Sequence, residues 1–131
     1  MKKTGVLNQP ISALLSSMGH TDPLIIGDAG LPIPRGPERI DLALRCGVPS
    51  FIEALETVLS ELSVERAEVA EETRAKSPEL HTALLETLGD IPVDYISHED
   101  LKSRSAGVKG VVRTGECTPF SNVILYSGVI F

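Results

Sequence analysis

The sequence predicts an α/β domain of three layers, α/β/α, around a mostly parallel sheet with mixed edges. Three observations lead there. Short apolar runs alternate with amphipathic segments of about ten to thirteen residues, the pattern of strands joined by crossover helices. The 131 residues amount to one domain, 1–131, long enough to bury about two thirds of the unfolded chain's surface. A composition 42% apolar and 23% charged, with mean hydropathy +0.11, belongs to a protein with its own core.

Asn8 caps a helix with Pro10 as its second residue and Ile11, Leu14, Leu15 and Met18 as its apolar face; Gly19 ends it. After His20-Thr21-Asp22-Pro23, the run Leu24-Ile25-Ile26-Gly27 is apolar throughout, as a strand covered on both faces must be. Asp28 stands at its carboxyl end. Residues 28–37 carry two Gly and three Pro and form a rigid loop, after which Ile40, Leu42 and Leu44 alternate as a second strand. Ser50 and Glu53 make a capping box ahead of Phe51, Ala54, Leu55, Val58 and Leu62. Residues 64–70 read as strand. Ser77 and Pro78 cap a helix through Leu84 and Leu88 that stops at Gly89, and Ile91, Val93 and Tyr95 alternate as the next strand. His98 follows directly, opening a short helix to about 104; strands near 109–113 and 122–126 flank a Gly-Pro loop. In a parallel sheet the carboxyl ends of the strands share one edge, where ligands bind, and Asp28 and His98 both fall at such ends.

Twelve Lys and Arg against eighteen Asp and Glu give a net charge of -6 with no basic patch, which argues against nucleic acid as a partner. Five aromatics and no Trp are too few for a base-stacking surface or a membrane belt, although Phe120, Tyr126 and Phe131 crowd the last twelve positions. Met1-Lys2-Lys3 imitates the basic end of a signal peptide, but Asn8, Gln9, Pro10 and Ser12 interrupt the apolar core one needs. No apolar run approaches the ~18 residues of a membrane span. The expectation is a cytoplasmic protein with no membrane partner. Cys46 and Cys117, 71 positions apart with no C-x-x-C, read as free thiols in a reducing compartment, with a disulfide between them as the alternative.

An imidazole, with an unperturbed pKa of about 6.5, donates or accepts protons at neutral pH. That makes His20, just past a helix C-terminus, a candidate acid or base; the competing reading is a cap or a packed surface residue. Asp28 could hold a sugar hydroxyl or orient a histidine, and Asp-Ala-Gly is equally an ordinary turn. His98 and Lys102, four apart, share a helix face and could converge on a ligand, against a strand-end histidine and a solvated lysine. Glu99 and Asp100 read as dipole partners of that helix's first turn, and His81 as a surface residue. No two candidate ligands sit at i, i+3 or i+4, so no metal is expected. The chain has no G-x-G-x-x-G, P-loop or nucleophile elbow, so neither a nucleotide cofactor nor a serine nucleophile is expected.

The ordered set of motifs is more telling than its members. VLN near the start, SMGHTD at 17–22, GDAGLPIP at 27–34, RIDLAL at 39–44, VPSFIEAL at 48–55, AEE at 70–72 and RTGECTPFSNVILYSGVIF to the end resemble the D-ribose pyranase family over essentially the whole chain. The L-fucose mutarotases, related by fold, are less similar in these segments. The resemblance implies an isomerase that interconverts β-pyranose and β-furanose forms of D-ribose without cofactor, in ribose utilisation. It places the proton donor on His20 and sugar contacts on Asp28, His98, Phe120, Ser121 and Asn122, with Lys102 a further one. It also implies a homodecamer of two stacked five-membered rings, each site completed by a neighbour. Phe120 stands where the family usually has Tyr, which leaves affinity and sugar choice open. The competing functions are a mutarotase for another aldose, such as L-fucose, and a non-catalytic ribose-binding accessory of sugar uptake.

Overall fold

The structure, a computed structural model, describes residues 1–131. Six strands, β1 (Pro23–Gly27), β2 (Glu38–Asp41), β3 (Val64–Ala70), β4 (Val93–Ile96), β5 (Gly110–Arg113) and β6 (Val123–Ser127), form one sheet in the order β2-β5-β1-β6-β3-β4. The helices are α1 (Gln9–Ser17), α2 (Phe51–Leu59), α3 (Glu71–Lys76), α4 (Pro78–Leu88) and α5 (His98–Arg104).

Five strands run one way; β6, between β1 and β3, runs the other. The sheet is thus mostly parallel, but the expected mixing at its edges is corrected: both edge strands are parallel to their neighbours, and the reversed strand is internal. The connection from β5 to β6 contains no helix, so the chain re-enters the sheet from the edge it left and must run back.

Two of the predicted caps act where the sequence puts them. The Asn8 side chain accepts from Ile11 N–H, and Ser50 with Glu53 completes a capping box at α2. Three expectations need correction. The second strand ends at Asp41, because its partner β5 ends at Arg113; the chain then folds back on itself, Leu44 N–H donating to Val48 O, and leaves Leu44 exposed. Ser77 precedes α4 without capping it, since its hydroxyl donates to Pro119 O at 2.6 Å. His81 is half-buried, within 2.6 Å of the Tyr95 hydroxyl, and burial, then the Arg74 charge, push its pKa down. Helix α3, with only Thr73 buried, has no apolar period to announce it.

The two faces of the sheet are covered unequally. On one, α1, α2 and α4 bring Ile11, Leu14, Phe51, Leu55, Val58, Leu84 and Leu88 against Leu24, Ile26, Val69, Val123 and Leu125. On the other, Leu101 of α5, with Leu31 and Val108 from loops, covers Ile25, Val111 and Ile124. Leu24, Ile25 and Ile26 are all fully buried, which accounts for an apolar run with no alternation.

Beyond α5 the thin face turns polar. Glu68, 4% exposed, accepts from Arg66 Nη1 and Tyr126 Oη at 2.9 Å each and pairs with Arg104, while the Arg66 guanidinium lies over the Tyr126 ring. Burial alone would raise the Glu68 carboxyl, but the hydrogen bonds from Arg66, Arg104 and Tyr126 outweigh it and hold the group below its ordinary 4.5. A carboxylate depressed in the folded state contributes stability above its unfolded pKa and loses that contribution as pH falls through the folded one. Urea unfolding in a pH series should therefore show stability falling below pH 4.5 in wild type and a flatter acid limb in Glu68→Gln. At neutral pH that variant should be less stable by about 1–3 kcal/mol.

Candidate active site

The carboxyl edge of the sheet gathers one group of the predicted residues. As β1 ends, Asp28 turns out and its carboxylate closes a tight turn, Oδ1 accepting from Gly30 N–H at 2.9 Å. Its other partner stands just before β6. Asn122, fully buried, accepts from Asp28 N–H through Oδ1 at 3.0 Å and donates through Nδ2 to Asp28 Oδ2 at 3.1 Å. Both halves of the amide are therefore engaged by one aspartate. Arg113 fixes the next residue, donating from Nε to Ala29 O at 3.0 Å while its Nη1 reaches both Asp41 oxygens.

Phe120 adopts a left-handed conformation, φ 62°, rare for a residue with a side chain. Two bonds to its carbonyl hold it there: Thr73 Oγ1 at 2.6 Å and Asn122 N–H at 3.0 Å. Its ring meets His98 edge-on, centroids 5.0 Å apart. The His98 backbone N–H donates to Glu72 Oε2 at 2.8 Å, and the ring Nδ1 is buried without a partner. A buried polar atom without a protein partner is costly. Ser121 is fully buried, its hydroxyl donating to Thr118 O. Lys102 pairs with Glu99, whose pKa this contact lowers. Asp28 lines a cavity of about 290 Å³ with Gly30, Glu116, Cys117 and Thr118.

The expectation of free thiols is corrected here: Cys46 and Cys117 are joined in a disulfide, their Cα atoms 5.7 Å apart. Distance in sequence was a poor guide, because β2 and β5 are neighbours and the loops that follow them run side by side. A Cβ at Gly115 would lie 2.3 Å from Val48 O and 2.4 Å from Arg45 O, so the loops approach as closely as glycine permits.

His20 is not part of this group. It precedes β1, whereas Asp28 follows it, and the five residues of β1 at about 3.3 Å each separate them by roughly 17 Å. At its own edge His20 lines a cavity of about 420 Å³ with Met18, Gly128, Ile130 and Phe131. Its Nε2 lies 2.7 Å from Glu65 Oε2. Sequence reasoning gave no role to Glu65, Glu72 or Thr73, which lie 45, 26 and 47 positions from their partners; only Glu72, within AEE, fell in a motif it singled out.

The chain matches the model of the RbsD / FucU transport protein family over residues 1–130. It belongs to that family. Proteins named D-ribose pyranase from Symbiobacterium thermophilum and Clostridium perfringens are 54% and 56% identical to it over 131 residues, all of each chain. RbsD of Bacillus subtilis, solved in complex with D-ribose, is 40% identical and superposes at a TM-score of 0.97 over the whole of both chains. FucU from Bifidobacterium longum, 20% identical with a TM-score of 0.78 over 95% of this chain and 97% of its own, shares the fold.

The reciprocal clasp of Asn122 on Asp28 makes a stability prediction independent of activity. Asn122→Leu removes both bonds and leaves Asp28 N–H without its acceptor, so the urea midpoint should fall by the equivalent of about 1–3 kcal/mol.

Proposed function

We propose that this protein is a D-ribose pyranase, an isomerase that converts the β-pyranose form of D-ribose into the β-furanose form and back. The observation that carries the reading is the full-length superposition on a family member solved with D-ribose, joined to 54–56% identity with proteins named for this activity.

The chemistry asks little of a protein. Opening the pyranose needs a proton delivered to O5 and one withdrawn from the anomeric hydroxyl; closing the furanose reverses this with O4 in place of O5. His20 serves as the proton donor. Asp28 and His98 hold sugar hydroxyls, and Asn122 acts through the carboxylate it clasps. Phe120 and Ser121 shape the same wall, with Lys102 at its margin.

One sugar cannot touch His20 and Asp28 of the same chain across roughly 17 Å of strand. The reading therefore places the His20 edge of one copy against the Asp28 edge of the next, a head-to-tail contact that closes into rings, with a decamer of two five-membered rings as the assembly. Ile130 and Phe131, 93% and 100% exposed beside His20, supply apolar surface for that junction.

Saturation-transfer NMR on equilibrated D-ribose tests the reaction: wild type should accelerate pyranose–furanose exchange, and His20→Ala should be slower by about 10²- to 10⁴-fold. Equal rates in the two would remove His20 from the mechanism. Mixing subunits tests the shared site. His20→Ala and Asp28→Ala, each inactive alone, should recover about a quarter of wild-type activity when co-assembled one to one, because a quarter of the junctions pair two intact edges. No recovery would place both residues at one protomer's site.

A further inference from the structure

We infer that Glu65 is the positioning residue for His20, and that by holding Nε2–H it leaves Nδ1 as the nitrogen that exchanges protons with the sugar. The inference rests on the pyranase reading above and adds to it the partner and orientation of its acid.

An ionised carboxylate only accepts hydrogen bonds, so at 2.7 Å from Glu65 Oε2 the His20 Nε2 must carry the proton. In a neutral imidazole the other nitrogen is then unprotonated, so Nδ1 first takes the proton of the anomeric hydroxyl and, as the imidazolium, delivers it to O5. A ring free in water would rotate about two side-chain bonds and sample both tautomers. Tied at Nε2, it presents one nitrogen in one direction. Pairs as exposed as this one, 53% and 39%, add little to stability. Stability is thus a weak reason for the contact, and orientation a stronger one.

The backbone is adjusted on both sides of the pair. Thr21, next to His20, is left-handed at φ 69° and is pinned there by its N–H to Ser127 O at 2.8 Å. The β3 register against β6 shifts between Val64 and Arg66, a bulge that takes Glu65 out of the ladder and re-aims its side chain. Gly128 lets β6's exit pass against it: a Cβ there would lie 3.3 Å from Glu65 Cβ and 3.2 Å from Ser63 Oγ. Three departures from regular geometry thus converge on one histidine and one carboxylate.

The test uses full-length Glu65→Ala and Glu65→Gln in the ribose exchange assay, with ¹⁵N-histidine spectra of the His20 ring. In wild type the spectra should give a protonated Nε2 and an unprotonated Nδ1. Glu65→Ala should lower kcat about 10- to 100-fold with KM little changed, and its His20 signals should move toward a mixture of tautomers. Glu65→Gln, which keeps an acceptor oxygen, should lose less, and it carries the same two readouts if the alanine variant does not fold. Unchanged kcat, or a fall in kcat with unaltered His20 signals, would overturn the role of Glu65 alone. A wild type that does not accelerate ribose exchange would overturn the pyranase reading and this inference with it.

Discussion

The structure depends on β6. It is the one strand that runs against the rest, and it is hydrogen-bonded to β1 on one side and β3 on the other, so it joins the halves β2-β5-β1 and β3-β4 into a single sheet. Its direction also determines what reaches each edge. Its entry places Asn122 beside the end of β1, where the amide clasps Asp28. Its exit places Ser127 O on Thr21 N–H and Gly128 against Glu65, at the edge that holds His20. A parallel strand in the same slot would send Asn122 to the wrong edge and leave Asp28 without its partner.

The two edges are built to different standards. Around Asp28 almost every polar group is paired: Asn122 to Asp28, Arg113 to Ala29 and Asp41, Thr73 to Phe120, Glu72 to His98, with Cys46 and Cys117 tying the loops beneath. Such a network fixes donors and acceptors before a ligand arrives, which is what recognition of several hydroxyls at defined angles requires. His20 is half-exposed and has a single side-chain partner. In the proposed role a proton donor at a wet surface competes with water, and covering it is the simplest remedy.

How much of this is legible in sequence follows from the range of the interactions. Caps, strand cores and turns are local, and the sequence announces them at Asn8, Ser50, Leu24-Ile25-Ile26 and Gly89 because each depends on residues within one or two turns. The direction of β6 is not local; it follows from a connection that lacks a helix, which the Gly-Pro loop at 114–121 carries only implicitly. Helix α3 hides because EETRAK has no apolar face, and Leu44 misleads because alternation continues past the end of its partner strand. Single positions such as Asp28 and His98 stand out by their place at strand ends. The groups that hold them, Asn122 apart, come from elsewhere in the chain and carry no mark of it.

The length of β1 turns these local facts into a constraint on assembly. Five residues of strand separate His20 from Asp28, and no rotamer change spans roughly 17 Å. Bringing the two together within one chain would require His20 to leave the turn held by Thr21 and Ser127, or Asp28 to leave Asn122, and each move breaks bonds that the sheet itself supplies. Stacking copies edge to edge breaks none of them. The proposed stacking would also cover Ile130 and Phe131, which nothing in the chain covers, and shield His20. The net charge of -6 repels copies at a distance, so such contact has to be secured by apolar surface and short-range fit, the kind of surface the exposed end beyond β6 presents.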